Sequence, residues 1–255
     1  MSSSAKARRA QILELAHTSG LASVEELSAR FGVTASTIRR DLQRLTDEGQ
    51  IARTYGGAMP LKGMVVESTF RQRNQEGTEA KRAIGKAAAD IISDGQTILL
   101  DSGSTVAALA HELREASELT VATTSLIVVE ELAEAASVHV ECLGGTLRHS
   151  SAAFVGPITE YSLDRMTFDA VFLGADGVAP DSICEADLMQ TQLKEKMASR
   201  AEHVYVLADA SKLHKRPFHA WAKLPAKWTL VTDSEASEEQ LAPFRDAGVR
   251  VVVAD

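Results

Sequence analysis

The segment Asp101-Ser-Gly-Ser-Thr105 has the residue types that bind a phosphate group. It follows the short apolar stretch Thr97–Leu100 and precedes an alanine-rich stretch with helical composition. Hydroxyl groups and unpaired backbone N–H groups at the N-terminus of a helix favour an anion, and the helix dipole adds to this preference. The segment therefore indicates an anion site, although an ordinary strand-to-helix turn capped by Ser or Thr would have the same composition.

Polar tips also follow four apolar stretches further along the chain. They are Thr123-Thr-Ser125, Leu143-Gly-Gly145, Gly174-Ala-Asp-Gly177 and Leu207-Ala-Asp-Ala-Ser-Lys212. Because the carboxyl ends of parallel strands share one edge of a sheet, where ligands bind, we expect these tips to line a single site. They add four residues to the candidate ligand-binding set, namely Thr124, Gly145, Asp176 and Lys212.

A second set of residues, near the N-terminus, has the chemistry of DNA contacts. Ile38, Leu42 and Leu45 recur at the spacing of one helical face. The other faces of that helix carry hydroxyl, amide and guanidinium groups, on Ser36, Thr37, Arg39, Arg40, Gln43 and Arg44. Such groups bind phosphates and base edges, and Arg and Gln can each form two hydrogen bonds to a base. A solvated, charged helix face is the alternative, but the helix-turn-helix pattern around it favours DNA.

The elements that would position this polar face are short helices. A first helix is followed by a second over Val24–Phe31, which Gly32 stops. Thr34 then opens the third helix, and Gly49 ends it as a C-terminal glycine would. Residues 50–57 form a short extended segment with a glycine turn, which is typical of a β-wing.

From Thr78 onward, apolar stretches of strand length alternate with stretches rich in Ala, Glu, Lys and Leu. This alternation predicts an α/β domain with a mostly parallel sheet that carries helices on both faces. The predicted strands cover residues 97–100, 119–123, 138–143, 170–173, 203–208, 228–232 and 250–253. We expect a winged helix-turn-helix domain over residues 1–58, a linker over 59–77 and the α/β domain over 78–255.

The net charge of −8 is unevenly distributed along the chain. The stretch up to Pro60 carries eight Lys or Arg and six Asp or Glu, whereas the remainder carries 19 basic and 29 acidic residues. The first region can therefore approach a polyanion, which would repel the second.

The composition also excludes several classes of protein. No apolar run approaches the roughly 20 residues that cross a bilayer, and the first ten residues lack the apolar stretch of a secretory signal. We therefore expect a cytoplasmic protein with no membrane partner. Cys142 and Cys184 lie far apart in the sequence and fit neither a metal-ligand spacing nor a disulfide framework. The sequence predicts no metal, no cofactor and no catalytic residue.

One long motif in the first region resembles a known family. The stretch Thr37-Ile-Arg-Arg-Asp-Leu42, with Gly49 and Arg53-Thr-Tyr-Gly-Gly-Ala58 after it, is similar to the winged helix-turn-helix of the DeoR family of bacterial transcription regulators. The resemblance implies that the helix from Thr34 is the recognition helix. It also implies that Arg53 and Tyr55 lie on the wing near the DNA backbone.

The second region resembles the sensor domain of the same family, which shares its fold with ribose-5-phosphate isomerase. The resemblance is carried by Lys81-Arg-Ala-Ile-Gly85, Asp101-Ser-Gly-Ser-Thr105, Gly174-Ala-Asp-Gly177 and Asp209-Ala-Ser-Lys212. It implies a set of phosphate-binding residues, Lys81, Ser102, Gly103, Ser104, Thr105 and Lys212. It also implies that Asp101 and Asp176 accept hydrogens from sugar hydroxyl groups.

The sequence departs from the isomerase after Asp176. The isomerase has a Lys-Gly-Gly-Gly segment and a catalytic glutamate there, whereas residues 178–185 contain no glycine. Glu185 could approach the site or lie in an exposed loop. The basic residues between 213 and 219 could likewise close over an anion or be solvated.

Together these features predict a DNA-binding transcription regulator, a repressor of genes for sugar or polyol metabolism. A phosphorylated sugar or polyol would modulate its binding to operator DNA. We expect a homo-oligomer, a dimer or a tetramer, because helix-turn-helix proteins usually bind paired half-sites. One alternative is a sugar-phosphate isomerase-like enzyme with an N-terminal DNA-binding appendix. Another is a regulator whose α/β domain serves only for assembly.

Overall fold

A computed structural model describes residues 5–19, 22–47, 52–54, 57–59 and 67–255. The chain divides into two compact units, Met1–Val66 and Glu67–Asp255. None of the helices in the described ranges is both long enough and apolar enough to cross a membrane.

The first unit contains three helices and a small antiparallel sheet within its described residues. The helices are α1 (Ala5–Ser19), α2 (Val24–Phe31) and α3 (Ala35–Asp47). The strands are β1 (Ala22–Ser23), β2 (Ala52–Thr54) and β3 (Gly57–Met59), which pair in the order β1-β3-β2. The predicted helix-turn-helix with a following β-hairpin is confirmed, whereas Gly49 and Tyr55 lie outside the described residues.

Local chemistry fixes the turn between α2 and α3. Gly32 has a φ of +61°, a left-handed conformation that favours glycine and ends α2. Thr34 then accepts a hydrogen bond at its Oγ1 from the backbone N–H of Thr37 at 3.4 Å, so it caps α3 as predicted. The apolar stripe of α3 is buried against α1 and α2, with Ile38 and Leu42 at its centre.

The second unit begins with two helices and continues as alternating strands and helices. Its helices are α4 (Phe70–Gln75), α5 (Thr78–Ala89), α6 (Ser104–Glu112), α7 (Leu126–Leu132), α8 (Pro157–Leu163), α9 (Leu188–Ser199) and α10 (Glu238–Asp246). Its strands are β4 (Thr97–Leu100), β5 (Leu119–Thr123), β6 (Val138–Cys142), β7 (Thr146–Arg148), β8 (Ala153–Val155), β9 (Phe168–Gly174), β10 (Gly177–Ala179), β11 (Ser182–Glu185), β12 (Ala201–Leu207), β13 (Ala220–Lys223), β14 (Thr229–Asp233) and β15 (Arg250–Ala254).

Seven of these strands form one parallel sheet, in the order β15-β14-β12-β9-β4-β5-β6. They are the seven strands that the sequence predicts. The antiparallel hairpin β7-β8 and the small antiparallel sheet β10-β11-β13 were not predicted, since their strands have only three or four residues. The stretch that contains α4 lies within the predicted linker.

Helices cover both faces of the parallel sheet, as predicted. Leu99 and Val171 point to the face where α8, α9 and α10 pack. Their neighbours Ile98 and Phe172 point to the opposite face, where α5, α6 and α7 pack. The alternation of side chains along a strand therefore divides the core into two apolar layers.

The order of the strands reverses between β4 and β9. From β4 the chain continues outward to β5 and β6, whereas from β9 it continues in the other direction to β12, β14 and β15. In an open α/β sheet such a reversal leaves a crevice at the carboxyl ends of the two central strands. Here those ends are close, since a Cβ on Gly174 would lie 3.1 Å from the carbonyl oxygen of Ser102.

Candidate functional site

A cavity of about 310 Å³ lies at this crevice, within the second unit. Its walls come from the carboxyl ends of β4, β9, β12 and β14 and from the start of the unit around α4 and α5. Of the residues predicted from the sequence, those that line it are Lys81, Ser102, Gly103, Ser104, Thr105, Asp176 and Lys212. The charged residues that the sequence analysis did not select are Arg73, Glu76, Lys194, Asp209, Asp233 and Glu235.

The N-terminus of α6 opens into the cavity. Gly103 precedes the helix with φ 129° and ψ 158°, and no side chain in the described part of the chain caps it. A Cβ on Gly103 would meet nothing within 4 Å, so its conformation alone calls for glycine. The first turn of α6 therefore presents backbone N–H groups and the hydroxyls of Ser104 and Thr105 to a ligand.

Three cationic side chains, Arg73, Lys81 and Lys212, line the same cavity as this helix end. The ammonium of Lys81 is buried and donates to the backbone carbonyl of Glu76 at 2.6 Å and to that of Arg73. Burial lowers the pKa of Lys81, Asp209 opposes this shift, and the neighbouring charges of Lys212 and Arg73 add to it. Mutually repelling cations at a helix N-terminus are suited to an anion of more than one negative charge.

A buried cluster forms another part of the site and was missed by the sequence analysis. The ammonium of Lys194, on α9, lies 2.9 Å from Asp101 Oδ2, contacts Glu185 and donates to the carbonyl of Gly174 at 2.7 Å. Asp101 Oδ2 also accepts the backbone N–H of Gly174 at 3.0 Å. Asp101, which does not itself line the cavity, therefore supports the wall through Lys194 and Gly174.

Glu185 lies in β11 and lines the cavity, which answers the question that the sequence left open. Burial raises the pKa of Glu185 to about 7, against the lowering effect of Lys194, and the charges of Asp176 and Asp101 add to the rise. Burial also opposes the charge of Lys194, but Asp101 and Glu185 hold the pKa of that ammonium above its ordinary value. Lys194 is therefore charged, and Glu185 can gain a proton near neutral pH.

Two buried oxygens of the cavity lining have no hydrogen-bond partner among the residues that the structure describes. They are Asp176 Oδ2 and Gln190 Oε1. The amide nitrogen of Gln190 donates to Ser102 Oγ at 3.3 Å, which orients its oxygen. Since buried acceptors are costly when unpaired, both oxygens are suited to the hydroxyl groups of a ligand.

Thr124 and Gly145 do not line the cavity. They follow β5 and β6, on the other side of the strand reversal, and the hairpin β7-β8 covers that edge through a hydrogen bond of 2.6 Å from Phe154 N to the carbonyl of Thr124. Gly145 has a φ of +120°, and a Cβ there would lie 2.2 Å from Thr159 Oγ1, so this glycine allows a tight turn.

The basic loop of residues 213–219 does not line the cavity either. The ring nitrogen Nε2 of His214 bonds to the carbonyl of Gln240 at 2.8 Å, and the ring packs against Phe244. The guanidinium of Arg216 lies over the ring of Trp221, 5.4 Å from its centroid. These contacts hold the loop against α10 and β13.

The polar face of α3 is accessible in the first unit. Ser36, Arg39, Arg40, Gln43 and Arg44 are exposed, and Thr37 is half-buried. The hydroxyl of Thr34 contacts the hydroxyls of Ser36 and Thr37 at 2.9 and 3.0 Å. The backbone of Arg53 lies in β2, but its side chain and Tyr55 are outside what the structure describes. The predicted DNA-contacting residues of α3 therefore form one continuous surface.

Not every basic residue of the first unit is available to DNA. Arg8 Nε lies 2.7 Å from Asp41 Oδ2, and both side chains are buried. Arg9 contributes a second contact to Asp41 at 3.3 Å. These ion pairs join α1 to α3 and so help to orient the polar face of α3. They also neutralise part of the positive charge that Arg8 and Arg9 would otherwise offer to a polyanion.

Comparison with known proteins assigns a family domain to each part of the chain. Residues 8–62 match the DeoR-like helix-turn-helix domain, and residues 76–234 match the DeoR C terminal sensor domain. The HTH-type transcriptional regulator GlpR of Haloferax volcanii is 35% identical, over 96% of this chain and 96% of its own length. The putative aga operon transcriptional repressor of Escherichia coli O157:H7 is 31% identical, over 96% of this chain and 93% of its own.

A solved structure of D-ribose-5-phosphate isomerase in complex with phospho-erythronic acid is also similar, at 22% identity and a TM-score of 0.40, over 53% of each chain. A similarity of this size carries no argument about ligand or activity. The two regulators, by contrast, align along nearly the whole chain.

Proposed function

The chain belongs to the DeoR family of transcription regulators, and on that premise we propose that it is a repressor of genes for sugar or polyol metabolism. In this proposal α3 and the hairpin β2-β3 bind operator DNA. A phosphorylated sugar or polyol binds in the cavity of the second unit and changes the affinity for that DNA.

The observation that carries the ligand assignment is the division of the cavity into two chemical parts. One part combines the uncapped start of α6 with the cations Arg73, Lys81 and Lys212, which suits a phosphate group. The other part offers Asp176 Oδ2 and Gln190 Oε1, two buried acceptors that suit hydroxyl groups. A molecule that carries a phosphate and several hydroxyls satisfies both parts, whereas inorganic phosphate satisfies only the first.

The DNA assignment is supported by the exposed face of α3. Its Arg39, Arg40 and Gln43 have the donor geometry that recognises base edges in the major groove, and its N-terminal hydroxyls suit phosphate contacts. Arg53 lies in β2, a strand of the hairpin that follows α3, where we expect a contact with the phosphate backbone of the DNA. The acidic second unit would avoid the DNA.

The chain is a transcription regulator and not a sugar-phosphate isomerase, since its relatives over nearly the full length are regulators. Glu185, a carboxylate that lines the cavity, contacts the ammonium of Lys194.

The experiment that tests the proposal has two stages. The full-length chain first selects duplexes from a random DNA pool, and fluorescence anisotropy then measures its affinity for the selected duplex. The titration is repeated with glycerol 3-phosphate, ribose 5-phosphate, fructose 1-phosphate, glucosamine 6-phosphate and inorganic phosphate. We expect one of the organic phosphates to change the affinity roughly 5–150-fold. Failure to select any duplex, or an affinity that no compound changes although thermal shift shows binding, would refute the proposal.

We also propose that the chain acts as a homo-oligomer, because a helix-turn-helix protein gains affinity and specificity by binding two half-sites. Sedimentation equilibrium of the full chain tests this. A monomer at the concentrations that bind the selected duplex contradicts it, and paired half-sites about one helical turn apart in that duplex support it.

A further inference from the structure

The second unit begins with a segment whose helix has no fully buried residue. We call residues 67–77, which include α4, the entry segment, because they follow directly on Val66, the last residue of the first unit. None of the six residues of α4, all of them described, is buried. An element with few buried apolar contacts shifts at a low cost in free energy, so its polar contacts matter more to its position.

The beginning of the entry segment is fastened to the turn of the hairpin β7-β8. The carboxylate of Glu67 accepts two hydrogen bonds from the guanidinium of Arg148, one of them at 2.7 Å, and lies 3.5 Å from Arg73 Nη1. The backbone N–H of Phe70 donates to the carbonyl of Ser150 at 2.8 Å. Burial opposes the charge of Glu67, but Arg148 and Arg73 hold the pKa of this carboxyl below its ordinary value. This attachment is therefore an ion pair at neutral pH.

The end of the entry segment is fastened to the cavity. The ammonium of Lys81 donates to the carbonyls of Arg73 and Glu76, which terminate α4. Arg73, Glu76 and Gly77 also line the cavity, as does the N-terminus of α6. One short element is therefore both a wall of the cavity and the covalent path to the first unit.

A phosphate in the cavity would act on each of these contacts. Hydrogen bonds from an ammonium to an anionic oxygen are stronger than those to a neutral carbonyl, so the phosphate competes with α4 for Lys81. The same charge attracts the guanidinium of Arg73 and repels the carboxylate of Glu76. All three effects act at the end of α4.

We propose that the entry segment transmits the state of the cavity to the DNA-binding unit. An anion takes the ammonium of Lys81 from the carbonyls of Arg73 and Glu76, and α4 shifts relative to its fixed end at Glu67, which changes the direction in which the chain continues into the first unit. The inference rests on the proposed function and adds to it the element through which the ligand regulates DNA binding. The two arrangements of α4 bind the ligand with different affinity, which is the condition for coupling.

The test compares Glu67→Gln with the matched control Glu238→Gln, which alters an exposed ion pair with Arg245 on α10. Neither Glu67 nor Glu238 lines the cavity. Thermal shift measures the binding of the organic phosphate that changes DNA affinity most in the unmodified chain, and anisotropy measures DNA affinity with and without it. We expect Glu67→Gln to bind the compound and the DNA but to respond less than about twofold. Glu238→Gln should keep the full response, which is of the order of 5–150-fold.

Hydrogen exchange on the unmodified chain gives a second measurement, which does not depend on whether a variant folds correctly. The backbone amides of residues 70–76 should change their exchange rate when the same compound is added. Unchanged exchange in these amides, or a full response in Glu67→Gln, would overturn the inference while the proposed function stands. An unmodified chain whose DNA affinity responds to no compound would refute both.

Discussion

Removal of the Lys194 ammonium should destabilise the second unit strongly. The ammonium is 3% exposed and lies 2.9 Å from Asp101, which is 2% exposed, and it also contacts Glu185. Lys194→Met keeps the length of the side chain and leaves two buried carboxyl groups without their cation. Breaking a buried pair in this way costs about 3–5 kcal/mol. In a unit of this size each kcal/mol lowers Tm by roughly 2–4 °C, so we expect a loss of roughly 6–20 °C.

The loss should depend on pH in a defined direction. The pKa of Glu185 is about 7 in the folded chain and lies above the ordinary value of 4.5, so this group removes stability as pH rises from 4.5 to about 7. Without the ammonium the pKa rises further, because the partner that lowered it is gone. The deficit of Lys194→Met should therefore be larger at pH 8 than at pH 6, where Glu185 is protonated.

The assay is a thermal melt of the full-length chain by calorimetry, at both pH values. Lys196→Met, which removes a half-buried lysine two residues away on α9, is the matched control. It should change Tm by little, since its partner Asp164 is exposed and surface ion pairs contribute about 0–1 kcal/mol. A Tm of Lys194→Met within 2–4 °C of the unmodified chain at pH 8, that is, a loss of about 1 kcal/mol or less, would refute the reasoning. So would a deficit that is larger at pH 6.

Three further predictions concern the two sites. Arg39→Ala and Arg40→Ala should each weaken binding to the selected duplex by about 1–3 kcal/mol if the side chain contacts a base, and anisotropy measures this loss. A smaller loss that is the same for the selected duplex and for unrelated DNA would indicate a phosphate contact instead. Gly103→Ala should cost about 1–3 kcal/mol, because a φ of 129° strains any residue with a Cβ, and should also abolish the thermal shift with organic phosphates. Gly95 also has a positive φ, of +80°, but does not line the cavity, so Gly95→Ala should lose stability and keep the thermal shift. If both variants keep or both lose the thermal shift, the assignment of the ligand to the N-terminus of α6 is wrong. Asp41→Asn should lower the Tm of the first unit by leaving a buried guanidinium of α1 without its anion, and calorimetry that finds no change would argue against a role for this pair.

The exposed polar face of α3, the candidate DNA-binding surface, could be predicted because its signals are local. The apolar stripe, the glycine after α2 and the Thr34 cap lie within a few turns of the polar residues that they position. The ion pair between Arg8 and Asp41 was not predictable in the same way. Its partners are 33 residues apart, and both read in sequence as ordinary charged surface residues.

The candidate ligand site was only partly predictable. Lys194 lies in a helix of mixed polar composition, where nothing in the sequence distinguishes it from the exposed Glu195 and half-buried Lys196 beside it. Arg73 and Glu76 belong to a stretch without clear periodicity. Their approach to the cavity depends on how α4 and α9 pack.

The sequence alone determined the elements and the chemistry at their ends: seven strands, the helices between them, and the loop from Ser102 to Thr105. Periodicity and turn residues are local properties, so a single chain reveals them. Only the tertiary structure decided which strand ends meet. Because the strand order reverses between β4 and β9, the tip after β9 joins the loop from Ser102 to Thr105, whereas Thr124 and Gly145 lie on the other side, near the hairpin β7-β8.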